Sequence, residues 1–414
     1  MRNETLWQRA PRPPAADELE EQGVPGLLAE LLARRGATTP QQAESFLSPD
    51  VEDLYDPFRL LNMEAAVERL LKAREAGRRV AVVGDYDVDG VSATALLQAA
   101  FSACGLPVST ILPHRMEEGY GFQPVHVEKA RGLDCSLVVT ADCGTTAREA
   151  VAAAQESGME VIVTDHHIPD GPLPGEALQI NPKIASCSYP FDQLSGAGLA
   201  FKLAMALGQR CGRSFDPLQL LRVACLGTIA DIVPLVDENR VIAALGLQAL
   251  STSRSPGLRA LIHQAGVKGP VTATDVGFRL GPRLNAAGRL GSADEALELL
   301  LCREPRQASI LARRLDDWNR ERQREEQQVV EEARAALAGP GELPPVLVAW
   351  SEGWHRGVVG IAAGRLAREL GRPTLLLAVD GETATGSGRS IPAVDLHAFL
   401  LPWREELERF GGHA

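Results

Sequence analysis

The stretch Ala81-Val82-Val83-Gly84-Asp85-Tyr86-Asp87-Val88-Asp89-Gly90 sets three carboxylates close together, directly after an apolar β-branched run. Such carboxylates repel one another, and a folded chain keeps the cluster at low cost only where cations neutralise it. The string also matches the opening of an EF-hand loop, which needs a bidentate Glu at its twelfth position and a helix entering it. Here that position, counted from Asp85, is Leu96, and the entering residues 79–83 read as a buried strand, so the calcium loop is set aside. A solvated acidic turn without a ligand is the other alternative, and the downstream pattern weakens it.

Apolar runs at 80–83, 108–112, 137–140 and 161–164 alternate with helical stretches at 91–104, 125–131 and 147–157. This alternation predicts an α/β fold built on a parallel sheet with helices on both faces. In such a fold, polar residues just past the carboxyl ends of the strands face the ligand crevice. The first end carries Asp85, Asp87 and Asp89, the third Asp142, and the fourth Asp165, His166 and His167. Asp142 alone reads equally well as a helix cap or turn former. Ligand-type residues at three equivalent ends favour a metal site. If the fourth strand continues, His166 and His167 point to opposite faces, so that one ligates and the other faces a substrate. Asp231 lies among Ile229, Ala230, Ile232 and Val233, and a buried Asp there must be paired, capped or metal-bound.

The length of 414 residues predicts two or three domains, and 45% hydrophobic with 23% charged residues is the composition of a globular chain with a sizeable core. No apolar run is long enough to span a membrane, and the charged, Pro-rich start lacks the apolar core of a signal peptide, so a cytoplasmic address is expected. Seven cysteines are scattered without a CxxC pair, which suggests neither a disulfide framework nor a zinc ribbon. The net charge of −12 argues against a long basic groove but leaves room for a local one.

In chain order, residues 1–60 form a helical cap, with Leu27, Leu28, Leu31 and Leu32 at helical spacing and a second helix near 40–47. Residues 61–304 form the core. Within it Ser195-Gly196-Ala197-Gly198 opens a helix whose glycines either bring backbone N–H groups to an anion or permit tight packing. Arg279, Arg283 and Arg289 make a basic patch suited either to phosphates or to salt bridges with nearby acids. Residues 305–338 read as one helix, apolar at both ends and polar at 319–328, a bridge between domains. Residues 339–414 begin a second α/β unit. There Gly353-Trp354-His355-Arg356-Gly357 is a candidate phosphate cradle, and Thr385-Gly386-Ser387-Gly388-Arg389-Ser390 a short loop suited to an oxyanion. Gly360 and Gly364 are equally consistent with close helix packing.

Together Asp85-Tyr86-Asp87-Val88-Asp89-Gly90, Thr140-Ala141-Asp142-Cys143-Gly144, Asp165-His166-His167 and Ala230-Asp231 resemble, in order, the DHH phosphoesterase superfamily, specifically the RecJ-type single-strand-specific exonucleases. The residues after 353, including Gly386-Ser387-Gly388-Arg389-Ser390 and Gly411-Gly412-His413, resemble the DHHA1 domain that accompanies such cores. The resemblance implies a parallel-sheet DHH core joined by a long helix to a smaller α/β DHHA1 domain. It implies two divalent cations, Mn²⁺ or Mg²⁺, held by Asp87, Asp89, Asp142, His166 and Asp231, with Asp142 as the bridge. Asp85 and His167 would act in or beside that shell. By the same resemblance Arg115, Ser387 and Arg389 would meet the substrate's terminal phosphate, and the basic and glycine-rich stretches read above add His355, Arg279, Arg283 and Arg289 as substrate contacts. The implied activity is 5′-to-3′ hydrolysis of single-stranded DNA in repair and recombination, with a single-strand-binding protein or a helicase as partner. Alternatives are a nano-oligonucleotide or cyclic-dinucleotide phosphodiesterase, and a non-catalytic replication scaffold of the same descent. Such exonucleases carry more DHHA1 sequence and an OB-like domain after Gly-Gly-His, both expected to be missing here.

Overall fold

A computed structural model describes residues 9–115, 117–119, 121–338, 342–392, 394–408 and 411. The terminal Gly412-His413 and the 339–341 linker lie outside the described residues, as do Met116 and Tyr120 of the Arg115 loop.

The core sheet has five parallel strands in the order β2-β1-β3-β4-β5: β1 Arg79–Gly84, β2 Val108–Ile111, β3 Cys135–Ala141, β4 Glu160–Thr164 and β5 Leu178–Ile180. Four of these match the apolar runs read from the sequence, because strands covered on both faces are apolar throughout. β5 was not foreseen: only three residues long, it gives no periodic signal. The chain leaves β1 toward β2 and returns to β3 on the other side, with Val83 paired to both Ile111 and Thr140. The strand order therefore reverses at β1, and a crevice opens past the carboxyl ends of β1 and β3.

The helix Val88–Ala103 leaves the end of β1 and is buried on nearly every side, packed between the sheet and the helices Gly196–Arg210 and Pro217–Ala230. Its environment explains why it reads as uniformly apolar rather than as an amphipathic stripe. The N-terminal helices Pro14–Glu21, Gly26–Ala33 and Pro40–Leu47 enclose a small core of their own around Leu19, Ala29 and Leu32. Only part of the predicted leucine stripe faces inward: Leu32 is buried, whereas Leu27 and Leu31 point to solvent. A buried knot ties this cap down. Lys202 Nζ donates to the Tyr55 carbonyl at 2.7 Å and pairs with Glu238, which also accepts from the Tyr55 N–H and the Tyr189 hydroxyl. With every partner hydrogen-bonded, the buried charges are compensated.

The helix Pro305–Leu337 runs about 50 Å at 1.5 Å per residue. Leu311 and Leu315 enter the main core, and Val329, Val330 and Ala333 enter a separate cluster with Trp354 and Leu366. The second sheet, β6 Leu347–Ser351, β7 Thr374–Asp380 and β8 Thr383–Arg389, pairs β6 with β7 in parallel and β7 with β8 antiparallel. Residues 385–389, expected as loop, are thus most of a strand. Glycine and hydroxyl residues disguise it, and the ladder with β7 supplies the order that propensity does not. Among the described residues no helix is long and apolar enough to cross a membrane.

Candidate metal centre and phosphate cleft

The aspartates past β1 are each fixed by backbone donors. Asp85, 2% exposed, accepts from the Tyr86 N–H at 2.8 Å. Asp87 caps the helix Val88–Ala103, its Oδ1 accepting from the N–H groups of Asp89 and Gly90 at 2.9 and 3.0 Å. Asp89 accepts from the N–H groups of Gly196 and Ala197 at 2.6 and 2.9 Å. The start of the helix Gly196–Arg210 therefore does meet an anion, the chain's own Asp89 carboxylate. Tight packing holds at the same place: a Cβ on Gly196 would fall 2.4 Å from Asp142 Cβ, and one on Gly227 2.2 Å from Asp89 Oδ1. Both of the open readings of 195–198 are thus realised together.

Asp142 follows β3 in a left-handed conformation, φ 65°, its N–H held by the Thr164 carbonyl at 3.0 Å. A non-glycine residue there stores strain that the surrounding structure must hold. Its Oδ1 is buried without a hydrogen-bond partner, and so are both ring nitrogens of His166. His166 Nε2 lies 3.1 Å from Asp142 Oδ1, 3.6 Å from Asp231 Oδ2 and 3.8 Å from Asp89 Oδ2. The 3.1 Å approach is not aligned as a hydrogen bond. Donor atoms from Asp89, His166 and Asp231 lie within 4.8 Å of one another, and the same holds for Asp85, Asp87 and Asp142 and for Asp142, His166 and His167.

Two expectations are corrected. His166 and His167 do not diverge, because β4 ends at Thr164 and the rings lie 4.7 Å apart on the same side. Asp231 is not buried among its apolar neighbours. It caps the C-terminus of the helix Pro217–Ala230 with its side chain 26% exposed, while Ile232, at φ 63°, turns outward and is 87% exposed. The apolar run is a helix end breaking surface, and this leaves Asp231 at the mouth of the site.

Asp165 has a different task. Its carboxylate accepts from His167 Nδ1 at 2.7 Å, from the His166 N–H at 2.7 Å and from the Thr145 N–H at 2.9 Å. Burial alone would raise its pKa, but the His167 bond and charge and the Thr145 donors hold it below the usual carboxylate range. His167 responds in the opposite sense. Burial lowers it, yet Asp165, then Asp231 and Asp85, carry it up to about 9. His166, buried and beside that cation, is pushed down to about 3 and stays neutral, the form in which imidazole can ligate.

Burial and then neighbouring carboxylates push Asp85 up to about 8 and Asp231 to about 6, and Asp89 and Asp142 well above the ordinary value. Carboxylates that resist ionising together, beside a neutral imidazole and partnerless buried donor atoms, fit hard divalent cations of the Mg²⁺ or Mn²⁺ kind. The nearby thiol of Cys143 is turned toward the Val83 carbonyl, and burial keeps it protonated.

Beside this cluster a cleft of about 420 Å³ opens between the two domains, lined by Arg115 and Arg289 from the core and by Arg356, Arg368, Ser387 and Arg389 from the second domain. Arg115 stacks over Tyr86 at 4.7 Å, which sets it next to Asp85 and Asp87. Burial, then the like charges of Arg115 and Arg322, bring Arg289 down to about 10, and burial and Arg115 also lower Arg389. Cations that depress one another mark a place suited to an anion.

Of the predicted patch, Arg289 lines this cleft and donates to the Gly357 carbonyl, whereas Arg279 and Arg283 are turned to Asp275 and Asp316. The salt-bridge alternative holds for those two. His355 caps the helix Arg356–Leu370, its Nδ1 accepting from the Gly357 N–H at 3.1 Å, and is not among the cleft residues. Tyr86 and Arg368 were not singled out from the sequence. The spacing of Gly357, Gly360, Gly364 and Arg368 on one helical face was the available signal for Arg368.

Family models match at residues 79–228, the DHH family N-terminal domain, and at 343–414, the DHHA1 domain. The single-stranded-DNA-specific exonuclease RecJ of Bacillus subtilis is 39% identical over 95% of this chain and 50% of its own length. That of Dickeya dadantii is 38% identical over 97% of this chain and 73% of its own. The structure of RecJ in complex with Mn²⁺ from Thermus thermophilus superposes with a TM-score of 0.80 at 33% identity, over 97% of this chain and 56% of that one. The chain thus spans about half the length of the Bacillus and Thermus proteins.

Proposed function

The chain belongs to the RecJ family of DHH proteins, and from that premise we propose a metal-dependent phosphodiesterase that removes nucleotides from the 5′ end of single-stranded DNA. One observation carries the reading: the buried Asp and His donor atoms without protein partners, side by side with an arginine-lined cleft. Asp87, Asp89, Asp142, His166 and Asp231 would hold two divalent cations, Mn²⁺ or Mg²⁺, with Asp142 shared. When bound, such ions activate water and stabilise charge on the scissile phosphate.

The remaining work falls to side chains. Arg115 and Arg389, with Ser387, grip the terminal phosphate from opposite domains, and Arg289 adds charge beneath them. Their fork geometry suits phosphate oxygens. His167, kept cationic by Asp165, donates toward the reacting phosphate, and Asp85 sets the charge of the loop beside it. Domain assignments follow: 1–60 caps the core, 61–304 carries the metal ligands, 305–338 spaces the domains, and 339–414 closes on the phosphate. A strand in a cell is coated or paired, so a single-strand-binding protein or a helicase would present it, in the cytoplasm and in the service of repair and recombination.

The test is hydrolysis of a 5′-phosphorylated single strand by purified protein after chelation and after Mn²⁺ add-back. The reading expects loss and recovery, little activity on blunt duplex, and none from Asp142→Ala. Equal activity of that variant, or indifference to chelator, would refute it.

A further inference from the structure

A second basic cavity, of about 480 Å³, lies between the helix Pro256–Gln264 and the first turns of the bridging helix. Arg254, Arg259, His263 and Arg313 line it, and among the described residues no carboxylate does. Past Arg313 the arginines of the bridging helix are paired, among them Arg314 with Glu295, Arg320 with Asp316 and Arg324 with Glu321. Arg254, Arg259 and Arg313 are exposed, and none has a carboxylate in ion-pair range among the described residues. In a chain of net charge −12, three unpaired guanidinium groups around one groove constitute a local positive field that the protein itself does not neutralise. The interdomain cleft shares that signature.

The groove is also joined to the cleft. Gln264, on its wall, donates to Asp316 at 3.0 Å, and Asp316 accepts from Arg283 at 2.9 Å. Arg283 sits on the helix Gly281–Leu290, and six residues further, about 9 Å along the axis, the same helix delivers Arg289 to the cleft. We propose that this groove is a second contact for single-stranded nucleic acid, binding the backbone phosphates of nucleotides that lie outside the active cleft. Among the described residues no tryptophan, tyrosine or phenylalanine lines it, so its grip comes chiefly from guanidinium groups on phosphates, a contact that carries no sequence information. The inference rests on the nucleic-acid reading above.

The experiment replaces Arg254, Arg259 and Arg313 together with Gln. The side chains are exposed and unpaired, so an unchanged melting temperature is the control for folding. Binding of a labelled oligothymidylate of about 20 nucleotides is measured by anisotropy in chelator across a salt series, and hydrolysis is measured on that strand and on one of about 4 nucleotides. Loss of three phosphate contacts should reduce the slope of log K against log salt by about 2. It should also raise KM on the long strand about tenfold, with kcat and short-strand hydrolysis unchanged. Wild-type binding with no difference in slope or KM overturns the groove alone. A wild-type protein that neither binds nor cleaves strands overturns the function and the groove with it. Lost binding of an acidic peptide with strand binding intact would reassign the groove to a protein partner and overturn the proposal.

Discussion

Replacing Asp85 with Asn tests whether the cluster at the end of β1 is a set of carboxylates held together against their own repulsion. In the folded protein, burial and then Asp87 carry Asp85 from 3.8 up to about 8. The sign follows from linkage. Between these values the native state binds a proton that the unfolded chain has released. The stability contributed by this group is therefore fully present below about pH 4 and is lost as pH rises toward 8. From 3.8 to neutrality is about three pH units, and at about 1.4 kcal/mol per unit the loss is about 4 kcal/mol at most. Asp142, itself raised by burial and then by neighbouring carboxylates that include Asp85, retains part of the dependence in the variant, so a difference of about 2 kcal/mol at pH 7 is the working expectation. The amide oxygen that the substitution introduces would still accept from the Tyr86 N–H, which limits collateral damage. Urea unfolding in chelator should find the variant more stable than the parent at pH 7 and equal to it near pH 4. Millimolar Mn²⁺ should erase or reverse the gain, because the cations then neutralise what the substitution removed. Parallel profiles from pH 5 to 8 without metal would refute the picture of a mutually repelling buried cluster.

Three further outcomes follow from the same geometry. Asp165→Asn removes the carboxylate that carries His167 up to about 9, so the alkaline limb of the rate profile should move toward neutrality, with kcat down about 10- to 100-fold; an unmoved limb would count against a cationic His167. Arg389→Gln should raise KM for 5′-phosphorylated strands while leaving 5′-hydroxyl strands nearly unaffected, and equal effects on both would remove Arg389 from the terminal phosphate. Lys202→Met leaves Glu238 buried without its cation and should cost about 3–5 kcal/mol in denaturant unfolding, with metal affinity of the folded protein unchanged.

The parallel sheet was legible because its central strands are short apolar runs at regular intervals, and the candidate ligands because they sit at equivalent positions past those runs. A strand end fixes where a side chain begins, so Asp85, Asp87, Asp89, Asp142, His166 and His167 could be placed near one crevice from local pattern alone. Asp231 had no such frame. Its approach to His166 depends on how the helix Pro217–Ala230 packs against the helix Val88–Ala103, a long-range fact that the apolar letters around it misrepresented as burial. β8 was hidden for a related reason: glycine and hydroxyl residues read as a turn until a neighbouring strand orders them. The fate of Arg279 and Arg283 was settled by partners, since the sequence contains the acids but not their distances.

The two halves of the site are coupled through single residues rather than through a broad surface. Tyr86 lies between Asp85 and Asp87 in the chain, and its ring carries Arg115 at 4.7 Å, so the loop that gathers the proposed metal ligands also aims Arg115 into the cleft. A Cβ on Gly288 would fall 2.7 Å from the Tyr86 carbonyl, so the helix Gly281–Leu290 is seated on the same residue, with Arg289 next in sequence entering the cleft. Removing the Tyr86 ring should therefore release Arg115, whereas the helix Gly281–Leu290, seated on the Tyr86 carbonyl and Cβ that alanine retains, keeps Arg289 in the cleft and the acidic cluster keeps its backbone donors. Tyr86→Ala separates the two kinds of support: metal affinity should be nearly that of the parent, and the preference for a 5′-phosphate should collapse. If Mn²⁺ binding by calorimetry falls as far as the phosphate preference does, then the cluster and the cleft are one cooperative unit, and the division of labour argued from Tyr86 is wrong.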